Sequence, residues 1–109
     1  MNKYPDMEEM IRSCEEKKTD AEMIVFALGA GRVFPKFGMR KAQKKAMDFI
    51  KKQRGFIGFH PMDLWHTLLV YRTLNDAKRA RNELIEKGVD VGQVAPIIVP
   101  IADIPEEAR

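Results

Sequence analysis

Two runs of this chain, 21–28 (AEMIVFAL) and 64–74 (LWHTLLVYRTL), are apolar on both alternating parities. In the first, Ile24, Phe26 and Leu28 oppose Met23, Val25 and Ala27; in the second, Leu64, Leu68 and Val70 oppose Trp65, Leu69 and Tyr71. A strand with one wet face alternates apolar and polar side chains. Runs that do not alternate belong inside a sheet covered on both faces, and their β-branched and aromatic residues favour the extended chain.

The segments around these runs supply the rest of the elements. Residues 5–18 predict a helix: Met7, Met10, Ile11 and Cys14 recur at helical spacing, and Asp6, Glu8 and Glu9 suit its positive end. Residues 39–53 predict a second, with Ala42, Ala46, Met47, Phe49 and Ile50 in one arc. A strand over 56–60 ends at Pro61. Asn75 is placed to cap a helix over 76–87, whose stripe is Ala77, Ala80, Leu84 and Ile85 and whose stop is Gly88. The last strand, 91–101, carries Pro96 and Pro100, which cannot donate to a ladder, so it belongs at a sheet edge.

The resulting order, a helix followed by β-α-β-β-α-β, resembles the ferredoxin-like arrangement. The expected fold class is α+β, a ferredoxin-like βαββαβ antiparallel sheet with an additional N-terminal helix. The resemblance is one of element order over 21–101. It implies that the two apolar strands take the sheet centre with both main helices on one face, and it implies no activity. Two covers for the second face are open, the N-terminal helix or a second copy of the chain. The chain is expected to be a single domain over 1–109, with the N-terminal helix in 1–20, the core in 21–101 and a polar, frayed tail in 102–109.

Charge is the one feature that points to a partner. Between positions 32 and 54 lie nine of the nineteen Lys and Arg residues against a single acid, Asp48, a net of +8 on a chain whose total is +3. In the helix over 39–53, Arg40, Lys41, Lys44, Lys45, Lys51 and Lys52 share the arc opposite the apolar one. The helix over 76–87 is an internal control. Its outer face mixes Lys78, Arg79, Glu83, Glu86 and Lys87, which allows the i,i+4 pairs Arg79–Glu83 and Glu83–Lys87. The preceding loop extends the charge, interleaving Arg32 and Lys36 with Phe34 and Phe37. Cations that follow phosphates and rings that stack on bases suit nucleic acid, while an acidic protein would meet the same cations equally well. The alternative for Phe34 and Phe37 is that they anchor a long loop onto the core.

The expected function is therefore a small non-enzymatic binding module engaging a polyanion, nucleic acid or an acidic protein. Its contacts would be Arg32, Lys36, Arg40, Lys41, Lys44, Lys45, Lys51, Lys52 and Arg54, with Phe34 and Phe37 as stacking platforms. The alternative is a self-associating structural or adaptor module, a homodimer using the apolar second sheet face.

Other motifs fall short. Residues 54–59 (RGFIGF) resemble the RNP1 signature of RNA-recognition motifs, but Ile57 is inserted before the second glycine and the segment sits on the wrong strand. Gly29-Ala30-Gly31 lacks the third glycine and the distal acid of a dinucleotide fingerprint. His60, Asp63 and His66 lack a third strong ligand at metal spacing, so neither a metal nor a cofactor is expected. No nucleophile or carboxylate pair stands in a catalytic context. The lone Cys14, an N-terminus without an apolar segment and a longest uncharged run of only 91–102 give the expectation of a cytoplasmic protein without membrane contact.

Overall fold

The computed structural model describes residues 6–30, 41–61 and 67–109, with only the backbone described at 41–43, 61 and 67. Its elements are α1 (Met7–Lys17), β1 (Glu22–Gly29), α2 (Lys41–Lys51), β2 (Phe56–Pro61), β3 (Thr67–Tyr71), α3 (Leu74–Glu86) and β4 (Val94–Pro100), followed by two single 3-10 turns, Ile101–Asp103 and Glu106–Ala108. The fold is α+β: the described residues form three helices and a four-stranded sheet in the order β2-β3-β1-β4, with each neighbouring pair antiparallel.

The two apolar runs hold the sheet centre. Along β1, Val25, Phe26, Ala27 and Leu28 are all buried, so both faces are covered. Phe26 and Leu28 join Leu69, Tyr71, Ile50, Ala77, Ala80, Leu84 and Val94 in the core beneath the helices. Val25 and Val70 face the other way. At the edge, β4 pairs with β1 alone, and it carries Pro96 and Pro100 opposite Phe26 and Glu22.

The N-terminal helix is not the cover of the second face. Met7 and Ile11 pack α1 against the helix-side core, and the Cys14 thiol lies 4.0 Å from the Pro96 carbonyl oxygen, so α1 widens the helix layer over β4. Part of the second face is covered instead by the C-terminal segment, which docks through Ile104 and the two 3-10 turns. Ile104 is 2% exposed against Val25 and Val70. The Arg72 Nε–H donates to the Ala108 carbonyl at 2.8 Å and the Arg109 Nε–H to the Ile104 carbonyl at 2.9 Å.

Three local expectations shift. The third strand ends at Tyr71, not at residue 74, because Thr73 rather than Asn75 caps α3, its hydroxyl accepting from the Asp76 N–H at 3.1 Å. Ile85 turns outward, 48% exposed, leaving Ala77, Ala80 and Leu84 as the buried residues of α3. In β2 the register shifts between Phe56 and Gly58, a β-bulge that absorbs Ile57. Phe56 and Phe59 therefore meet edge to face with ring centroids 5.0 Å apart, and Phe56 packs into the helix-side core.

Candidate functional site

The placement of α2 begins with two side chains at its C-terminal end. Ile50 is fully buried, and Gln53 is the one buried polar residue among those described. The Gln53 amide donates to the Ala80 carbonyl at 3.2 Å and to the Glu83 carboxylate at 3.4 Å, while the Tyr71 hydroxyl donates to its Oε1. Burial, and then the charge of Glu83, push the Tyr71 hydroxyl well above the ordinary tyrosine range, so it stays a neutral donor. Among the described residues no buried side-chain nitrogen or oxygen lacks a partner. The chain then turns at Gly55, with φ +80; a Cβ there would sit 2.2 Å from Asp76 Oδ2. Only glycine lets this turn press against the first turn of α3. The end of α2 is thus fixed to α3 and β3 by hydrogen bonds as well as by packing.

With the inner side anchored, the outer side presents its cations. Lys44, Lys45, Lys51, Lys52 and Arg54 are all exposed, as is Asp48. Asp48 stands three or four positions from each of the four lysines. The one ion pair among the described residues is Arg54–Asp76, 4.0 Å apart, with Arg54 77% exposed. Arg54 is therefore drawn toward an acid of α3, a compensation not foreseen in the sequence. It is a weak one, since the 4.0 Å separation is at the limit of an ion pair and the Arg54 end lies in solvent. Of the other predicted contacts, Arg32, Phe34, Lys36, Phe37 and Arg40 lie outside the described residues, and the side chain of Lys41 is not described.

A pair not predicted from sequence adjoins this face. The Lys87 ammonium lies 5.3 Å from the centroid of the Phe49 ring, a cation–π contact between the end of α3 and α2. Lys45, Ala46, Phe49, Lys87 and Val89 line an open groove of about 400 Å³. Phe49 is half-buried and also packs against the main core, while Lys45 and Lys87 are exposed. The expected Glu83–Lys87 pairing gives way here: the Glu83 carboxylate accepts from Gln53 and Lys87 reaches over the ring. The only sequence hint was that Phe49 lies at the margin of the apolar arc.

Other features are less constructive. The Gly29 carbonyl accepts from the Gly92 N–H at 2.8 Å and Ala30 is fully buried, which ties the end of β1 to the loop before β4; Gly31 lies outside the described residues. His60 is exposed on β2, and His66 and Asp63 lie outside the described residues. Among the described residues, no group of three or more His, Cys, Asp or Glu side chains is placed to hold a metal, and no helix is long and apolar enough to cross a membrane. A second groove, of about 390 Å³, runs along the tail-covered face between Ile57, His60, Val70, Val99, Asp103 and Ile104.

Compared with known proteins, the chain matches no protein-family model, no curated protein and no solved structure.

Proposed function

We propose that this chain is a small, non-enzymatic, cytoplasmic binding module that engages a polyanion, nucleic acid in the first instance, through the outer face of α2 and the cations of 32–54. The observation that carries the reading is the exposure of Lys44, Lys45, Lys51 and Lys52 around a single acid, Asp48. Arg32, Lys36, Arg40 and Lys41 would extend the same field along the chain, and Arg54 would contribute at its margin. Lysines neutralise phosphates but read no bases, so binding would be sequence-tolerant. Salt dependence tests it. On a single strand the four lysines alone contribute about −3 to the slope of log affinity against log salt, and the other cations steepen it. A labelled single strand and a labelled duplex, titrated at low and moderate salt, measure that slope; absence of binding to both at low salt rejects the proposal.

A second reading is favoured by a separate observation. Met23, Ile57, Ile97 and Val99 stay only half-buried around the docked tail, an apolar rim on which a second copy could seat. Light scattering across a wide concentration range tests this homodimer, and a strict monomer removes it. For the fold, we read α1 followed by the sheet order β2-β3-β1-β4 as the ferredoxin-like split βαβ arrangement with an added helix, supported by the antiparallel pairing of every neighbour.

A further inference from the structure

We infer that the groove between α2 and the end of α3 is a subsite for one nucleotide of a single strand, with its phosphate held by Lys45 and Lys87 and its base laid against Phe49. The inference rests on the polyanion reading and goes further by naming the strand form and two residues, Phe49 and Lys87, outside the basic segment. The groove has a cation on each wall, one from each helix, and a ring and a valine between them. Among the described residues lining it there is no acid. Its volume of about 400 Å³ lies within the roughly 300–1,000 Å³ of ligand clefts.

The cation over the ring is the informative detail. With the Lys87 ammonium 5.3 Å from the centroid, a face of Phe49 meets a polar group rather than the core, although the ring also packs inward. A base sliding onto that face would move the ammonium toward the phosphate that follows it, exchanging a cation–π contact for a charge-assisted one plus a stack. The Glu83 carboxylate, which could compete for Lys87, is instead engaged by Gln53. A duplex cannot use this site fully, because its bases are already stacked and paired, and an acidic peptide would satisfy the lysines while offering no aromatic plane.

The test uses the full chain and fluorescence anisotropy at low salt with three labelled probes: oligothymidylate, an abasic deoxyribose-phosphate strand of the same length, and a hairpin duplex. Lys87→Gln and Lys45→Gln should each weaken oligothymidylate binding several-fold, while Lys18→Gln, an equal charge change on the exposed end of α1, should not. Phe49→Leu should weaken oligothymidylate binding by about tenfold and leave the abasic strand unaffected. Should Phe49→Leu fail to fold, Lys87→Gln, at an exposed position, and the abasic probe on the unaltered protein still decide the matter. Binding of oligothymidylate and the abasic strand with equal affinity, or a Lys87→Gln effect no larger than that of Lys18→Gln, overturns the subsite and leaves the polyanion reading standing. Displacement by polyglutamate as effective as by unlabelled oligothymidylate overturns it in favour of an acidic protein. No binding of any probe sinks both readings together.

Discussion

The helices α2 and α3 cover the same face of the sheet, yet their outer sides are built on opposite plans. α3 buries Ala77, Ala80 and Leu84, begins at a threonine cap and mixes acids and cations outside. α2 buries Ile50, is followed by the buried Gln53, and sets four exposed lysines around one acid. Both are anchored on their inner sides, α3 by three buried residues and α2 by Ile50 and the Gln53 that follows it, and that inner burial does not set the sign of the charge outside. The charge on α2 is a property of its surface alone, and surface charge of one sign weakens a helix slightly rather than supporting it. The comparison teaches that anchoring and outer chemistry are separable in this fold.

The largest effect is expected from removing the charge. Replacing Lys44, Lys45, Lys51 and Lys52 together by Gln should lower single-strand affinity on the order of a thousandfold at low salt and reduce the salt slope by about 3. Replacing Lys78 and Arg79 of α3 should change affinity by only about twofold, since their neighbourhood is already mixed in sign. Anisotropy titrations of both variants make the measurement. Equal losses would mean that overall charge, not the α2 face, attracts the ligand.

Next comes the packing that the two helices share. Leu84→Ala and Ile50→Ala each empty a fully buried site and should each cost about 2–5 kcal/mol, read from urea unfolding. A much smaller loss at Ile50 would mean that α2 is the more loosely seated helix, and the comparison with α3 would have to be redrawn as one of stability.

Much of this arrangement was legible in the residues. The central strands follow from runs with no polar parity, and the edge position of β4 from Pro96 and Pro100, both short-range signals. The exposed lysines of α2 follow from their arc. What was not legible depends on contacts between segments remote in the chain. Ile104 is a single apolar residue without periodicity, and it becomes a plug only where the sheet brings Val25 and Val70 together. Lys87 reads as a partner of Glu83 until the fold brings Gln53 to that carboxylate. The bulge at Ile57 looked like a broken motif, whereas in the sheet it returns Phe59 to the side of Phe56. Residues 32–40, which carry part of the predicted site, lie outside the described residues.

The network that ties α2 to α3 should be measurable by pH. Gln53→Ala strips the Tyr71 hydroxyl of its acceptor and should cost about 1–3 kcal/mol. The folded protein holds the Tyr71 proton more tightly than the unfolded chain, whose tyrosine loses it near 10.0. The resulting stability is fully present below pH 10.0 and is lost progressively as pH rises beyond it, by up to about 1.4 kcal/mol per pH unit. Melting temperature followed into alkaline solution should show the fall, and Tyr71→Phe should remove that part of it. An unchanged alkaline profile in Tyr71→Phe would show that the α2–α3 tie does not depend on a neutral hydroxyl.

The smallest effect is the most pointed, because it moves stability and binding in opposite directions. Asp48 lies at i,i+3 or i,i+4 spacing from Lys44, Lys45, Lys51 and Lys52, although the one ion pair among the described residues is elsewhere, at Arg54–Asp76. Its carboxylate acts on the lysines through solvent, as a shared counter-charge worth a few tenths of a kcal/mol per neighbour. Asp48→Asn should therefore lower stability by up to about 1 kcal/mol while raising single-strand affinity several-fold at low salt, with both changes fading as salt screens them. Glu83→Gln on α3 offers the contrast. It alters the hydrogen bonding of Gln53, so any effect on stability should survive high salt. A loss of affinity in Asp48→Asn would mean that the carboxylate helps to hold the ligand, and the outer side of α2 would then have to be understood as a mixed-charge surface like that of α3.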